Sequence, residues 1–201
     1  IEVRALDVNP FSAIGISESQ FHFLDVFLLS CLLMPSEALD ESQLTEAKDN
    51  MNKVVLEGRN PELKLLQGGE EISLPAWCDT LFAQFKQVAA LLDTANETDK
   101  YMAAVDEEWQ KVIDPAKTPS GVLLNALLKD DKDNSVFGLE LAERYKAEMA
   151  GYAYTHTDAN AFQAASQASL DAQADVEAAD SKDFDSFIRD YFNEPPAKKN
   201  A

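Results

Sequence analysis

Apolar positions along the chain recur at helical spacing almost everywhere. In Phe21, Leu24, Leu28, Cys31 and Leu32 the period is that of one helix face, and Ser17 with Gln20 three places on forms a capping box ahead of it. Pro35 ends that helix. A second helix runs from about Asp40 to Glu57, closed by Gly58 as a left-handed cap, and leads into the extended or turn-like stretch RNPELKL and the turn QGGEE. Pro75 opens a third helix carrying Trp77, Leu81, Phe85, Val88 and Leu92, and a fourth spans about Thr98 to Val112 before Asp114-Pro115 breaks it. Pro119 starts a short helix through Leu128. Asn134 or Ser135 caps another, with Phe137, Leu141, Arg144 and Tyr145 around its turns.

Two segments depart from that pattern. Residues 158 to 179 are rich in alanine, glutamine and aspartate, with small apolar positions, which predicts a surface helix with a thin contact seam. Ser181 caps a last short helix with Phe184, Phe187, Ile188, Tyr191 and Phe192, a core or docking stripe, and the tail NEPPAKKNA frays. At the other end, IEVRALDVNPF sets Ile1, Val3 and Ala5 against Glu2 and Arg4 and closes on Asn9-Pro10, the pattern of a strand and turn. It is the only convincing strand, and a lone strand leaves its backbone groups without partners. It is expected to pair outside this chain, which reads as a piece lacking its upstream part.

Composition narrows the function. With 201 residues and 46% hydrophobic content the chain can pack a core. Its formal net charge of -19 repels nucleic acid and anionic lipid, so neither is an expected partner. The stretch FHFLDVFLLSCLLM is too short and too interrupted to span a membrane. Cys31 and Cys78 make no disulfide framework, Cys31 is expected as a buried free thiol, and a cytoplasmic setting follows. His22 and His156 have no ligand-spaced partners for zinc and read as surface or packing residues. The pair Gly68-Gly69 lacks the lysine and setting of a phosphate loop.

One pair stands out. Glu2 and Arg4, two apart on a strand, share a face, so a carboxylate suited to a divalent cation sits beside a guanidinium suited to a phosphoryl oxygen. An ordinary ion-pair face has the same spacing. Arg59, just after Gly58, invites a nucleotide contact, against the plainer reading of an arginine bonding the last carbonyls of its own helix.

The run IEVRALDVNPFSAIGI, the helix with FLDVFLLSCLL, and DNMNKVVLEGRNPELKL together resemble the C-terminal portion of bacterial glutamate-cysteine ligases of the enterobacterial type. The resemblance is dense over residues 1 to 66, looser to about 150, and thin beyond. It implies a mainly α fold: a helical C-terminal region plus one strand of the antiparallel catalytic sheet of a glutamine-synthetase-like ligase. The implied divisions are 1–16, last part of the sheet and loop; 17–150, helical region; 151–192, C-terminal helices; and 193–201, a flexible tail. The resemblance also implies ATP-dependent joining of L-glutamate to L-cysteine, with Glu2 as a ligand of Mg²⁺ or Mn²⁺ and Arg4 as the catalytic cation on the γ-phosphoryl group. Its partner would be the upstream part of its own polypeptide, monomeric when intact, and the chain alone would be inactive. The competing expectation is a non-catalytic, acidic helical interaction or scaffold module.

Overall fold

A computed structural model describes residues 3, 6–36 and 38–193, and the fold is mainly helical with one two-stranded antiparallel sheet. Two compact units divide the chain, residues 1–150 and 151–201.

In the first unit, helix α1 (Glu18–Leu33) starts on the expected box: Gln20 N–H donates to the Ser17 hydroxyl, and the Gln20 side chain accepts from Ser17 N–H. Helix α2 (Glu41–Glu57) repeats the device with Asp40 and Gln43. Strands β1 (Lys64–Gln67) and β2 (Glu70–Ser73) follow, then α3 (Leu74–Asn96), α4 (Lys100–Ile113), a 3₁₀ turn at Pro115–Lys117, α5 (Pro119–Asp130) and α6 (Asn134–Ala150).

The core lies where α1, α3 and α4 meet. Val26, Phe82, Phe85, Val88, Ala89 and Val105 are buried together. Phe23 stacks on Phe82 at 6.0 Å between centroids and meets Phe85 edge-on at 5.8 Å, while Trp109 lies 5.2 Å from Phe82. These helices bury one face each because their aromatic and branched residues fall on one stripe. The turn between α3 and α4 is fixed by Asp93, whose carboxylate accepts from the N–H groups of Tyr101 and Met102 at 3.0 and 2.9 Å. That satisfies two of the unpaired donors at the start of α4, where Asp99 makes no side-chain cap.

Several expectations are corrected. The stretch read as extended followed by a turn is a β-hairpin, so a region not counted as strand supplies both strands among the described residues. Leu65 pairs with Ile72 and Gln67 with Glu70 around Gly68 and Gly69, both at positive φ (63° and 84°), a conformation that glycine adopts without a Cβ penalty. Gly58 is right-handed (φ -56°, ψ -19°), not a left-handed cap; glycine is needed there because a Cβ would fall 2.6 Å from the Val54 carbonyl oxygen. Cys31 is exposed rather than buried. The amides opening α6 and the last helix are bonded by the carboxylates of Asp133 and Asp183, one residue before Asn134 and two after Ser181. A carboxylate outcompetes a hydroxyl at a helix N-terminus because its full charge also meets the positive end of the dipole.

The second unit contains α7 (Ala159–Ala179) and α8 (Phe184–Asn193). Asp158 caps α7, and Gln167–Asp171 and Gln173–Glu177 bond one turn apart along it. Residues of α7 are exposed throughout. On α8, Phe187 stacks with Tyr191, and Tyr191 meets Phe192 edge-on.

Candidate functional site

Glu2 and Arg4 lie outside the described residues, as do Ile1 and Ala5 of the segment expected to form a strand; Val3 and residues 6–9 pair with no strand among the described residues. Asn9 N–H donates to the Gly15 carbonyl at 2.7 Å, and its side-chain oxygen accepts from Phe11 N–H, so the expected turn forms. The Asn9 amide also donates to the Gln20 side chain at 2.8 Å, which ties the turn to the capping box of α1. From the far end of the first unit, the Tyr145 hydroxyl on α6 donates to the Pro10 carbonyl at 2.8 Å, and Arg144 donates to that hydroxyl while lying 4.8 Å from the ring centroid. Phe11 meets Phe137 of the same helix edge-on.

Two concavities flank the segment. A small apolar one, about 300 Å³, is lined by Val3 and Leu6 together with Phe23, Leu24 and Phe27 of α1. A larger cleft of about 850 Å³ runs from Asp7 to the C-terminal end of α2 and the start of α5, taking in Arg59, Asn60, Thr118 and Ser120.

The α2 side of that cleft is positioned by polar side chains. Asn50, buried, donates to the Leu66 carbonyl at 2.7 Å and accepts from Leu66 N–H at 2.9 Å, so a side-chain amide completes one residue of the β1 edge. Glu46 accepts from the N–H groups of Gly68 and Gly69 at 2.9 and 2.8 Å, closing the hairpin turn onto α2. The expected bonding of Arg59 to the carbonyls of its own helix does not occur: the guanidinium has no hydrogen bond or ion pair among the described residues. Asp7, Thr118 and Ser120 line the same cleft as Arg59, and nothing local in the sequence links positions so far apart.

A third hollow, about 240 Å³, sits between α1 and α4. Lys100 pairs with Glu18, holding that carboxyl below its ordinary value and its own ammonium above. Ser19 donates to Glu107, and His22 packs against Tyr101 at 4.8 Å, in keeping with its reading as a packing residue. Burial pushes the Cys78 thiol up, away from nucleophilic use. No group of three His, Cys, Asp or Glu side chains is disposed to hold a metal among the described residues, so they do not by themselves fit a metal centre. Nor is any described helix long and apolar enough to cross a membrane.

Comparison with known proteins connects the chain to a class of enzymes first: the proteins it is similar to are ligases. A family model described as Glutamate-cysteine ligase matches residues 1–54. Glutamate–cysteine ligases of Shewanella halifaxensis and Vibrio vulnificus are 46% and 38% identical over 193 and 194 residues, 96% of this chain in each case. A crystal structure of glutamate–cysteine ligase from Francisella tularensis in complex with AMP superposes with a TM-score of 0.80 at 28% identity, covering 94% of this chain and 37% of that one. The chain spans 37% of the length of these curated relatives. Similarity therefore runs past residue 150, further than the sequence resemblance reaches, and the relatives are bacterial without being specifically enterobacterial.

Proposed function

We propose that this chain is the C-terminal portion of a glutamate–cysteine ligase, of the type found in enterobacteria, contributing one strand of the catalytic sheet and the helices that brace it. The observation that carries this reading is 46% identity along 96% of the chain to a ligase of which it spans only 37%.

In the reaction a γ-carboxylate oxygen of L-glutamate attacks the γ-phosphorus of ATP; the new O–P bond forms as the bond to the ADP oxygen breaks. The amine of L-cysteine then attacks the acyl carbon, phosphate departs with the electron pair, and the amine loses a proton to leave γ-glutamylcysteine. In this reading Arg4 stabilises the charge gathered on the transferring phosphoryl group, which preorganised cations do at no reorganisation cost. Glu2 is this chain's ligand to Mg²⁺ or Mn²⁺, with the other ligands beyond it. The working enzyme is a cytoplasmic monomer, and the segment alone is inactive.

Arg4→Ala in the intact polypeptide is expected to lower kcat by about two to three orders of magnitude, by analogy with loss of a preorganised donor, with little change in the KM for glutamate. Turnover within a few-fold of the unsubstituted enzyme would remove Arg4 from this role. Synthesis of γ-glutamylcysteine by the purified 201-residue chain would overturn the claim that it is a dependent part.

A further inference from the structure

Helix α6 has a single covered stripe. Of its 17 residues only Phe137, Leu141 and Tyr145 are not exposed, and they fall four apart on one face. None of the three belongs to the cluster where α1, α3 and α4 meet. Two of them reach the turn that joins the opening segment to α1: the Phe137 ring meets Phe11 edge-on at 6.5 Å, and the Tyr145 hydroxyl donates to the Pro10 carbonyl at 2.8 Å.

The bond to Pro10 is a directed one. A phenol carries one proton, and its oxygen also accepts. Arg144 donates to the Tyr145 oxygen at 2.9 Å, so that oxygen's own proton is left for the Pro10 carbonyl, and the neighbouring positive charge strengthens the donor. The turn makes no use of that carbonyl in its own backbone bonds, which run from Asn9 N–H to Gly15, from Ser12 N–H to Asn9 and from Gly15 N–H to Ser12. Asn9 is tied to α1 through Gln20 and the next residue is tied to α6 through Tyr145, so two consecutive residues are held from two helices. Two such points fix a direction as well as a position.

Direction decides what the preceding residues present. On an extended segment side chains two apart share a face, and a slip of one residue sends each of them to the opposite face. We propose that Tyr145 is a positioning residue of the ligase reaction: its bond to Pro10 sets the register at which the opening segment offers Arg4 to the transferring phosphoryl group. The inference rests on the ligase reading and on the role given there to Arg4, and adds to it a residue 135 positions from Pro10 in the sequence. A misplacement on the order of 1 Å at a reacting centre slows turnover by up to about a hundredfold, so the loss of one tie is measurable yet smaller than the loss of Arg4 itself.

The test is a double-mutant cycle in the intact ligase polypeptide, with formation of γ-glutamylcysteine from glutamate, cysteine and Mg-ATP as the measured reaction. Tyr145→Phe keeps the ring and removes only the hydroxyl. It should lower kcat about tenfold and leave the KM values for glutamate and Mg-ATP within about twofold, because the group it positions acts on the transition state. In an Arg4→Ala background the same substitution should change kcat by less than about twofold, since nothing is left to position. Losses that multiply in the double variant, or a kcat within about twofold of the parent in Tyr145→Phe alone, overturn the assignment. Should Tyr145→Phe fold poorly, Arg144→Leu takes its place. It leaves the tyrosine, withdraws the group that directs its proton, and should cost about two- to threefold in kcat only while Arg4 is present; an unchanged kcat there overturns the assignment equally. If the unsubstituted polypeptide makes no γ-glutamylcysteine, the ligase reading has failed, and if Arg4→Ala turns over within a few-fold of it, the role of Arg4 has; the positioning role falls with either. If both stand and only the tyrosine is inert, only this inference has failed.

Discussion

The α1–α3–α4 core and the α2–hairpin layer of the first unit are held by opposite means. In the core, six side chains are buried in one cluster, where the rings of Phe23, Phe82, Phe85 and Trp109 meet one another. On α2 the only buried side chain is Asn50, while Met51, Val55 and Leu56 face outward; the hairpin side buries Leu63 and Leu65, but what α2 itself offers to the hairpin is polar, Glu46 and Asn50. Burial gives the core its stability without fixing direction, because the hydrophobic effect is not directional. Hydrogen bonds to named backbone groups give α2 a fixed orientation for less net energy. One layer is built to persist and the other to aim.

That contrast can be broken by substitution. The largest effect is expected for Phe85→Ala, which empties the centre of the aromatic cluster and should cost about 3–5 kcal/mol in denaturant unfolding; a loss under about 1 kcal/mol would mean the cluster is not the core. Asn50→Ala should cost about 1–3 kcal/mol, since Leu66 N–H and C=O both lose their partner. Its signature is local: amide exchange should quicken in residues 64–73 ahead of α3. Uniform quickening would show that α2 is braced some other way. Asp93→Ala, which uncaps α4, should cost about 0.5–2 kcal/mol by the same assay.

The smallest effect concerns pH. The Glu18 carboxyl is depressed by its hydrogen bond to Lys100, and Asp40 by the Gln43 amide it caps. A depressed acid stabilises the fold above its unfolded value, 4.5 for Glu18 and 3.8 for Asp40, and that contribution disappears as pH falls through the folded value. Lys100 is raised by the same pair, so its share is complete below 10.5 and is lost as pH climbs through its folded value. Glu18→Gln should therefore flatten the acid limb slightly and lift the salt sensitivity of an exposed pair. An unchanged acid limb would mean the pair is absent in solution.

What the sequence could convey followed from what is local. Ser17 with Gln20 and the spacing of Leu81, Phe85, Val88 and Leu92 are read within a turn or two of their own helix; Phe85 and Val88 are buried and Leu81 and Leu92 pack against them, while Phe82, buried in the same cluster, was not among the expected positions. The hairpin escaped because its strands are four residues each and Leu65-Leu66 breaks the alternation, although Gly68-Gly69 marked the turn. Clamps such as Glu46 to Gly68 and Asn50 to Leu66 join positions that no periodicity connects. The cleft is the same case at greater range: Asp7, Arg59 and Ser120 become neighbours only through the fold. Glu2 and Arg4 were legible as a pair, yet their role depends on carboxylates that local spacing cannot supply.

The hydrogen bond from Tyr145 to Pro10 bridges nearly the whole first unit. During translation the turn that follows the opening segment stays without this latch until α6 has cleared the ribosome, so the segment is secured late even though it is made early. A stop codon placed before position 145 would then release a product whose helices pack normally around Phe85 but whose turn at residues 9–15 is held to α1 by the Asn9–Gln20 bond without the second tie from α6.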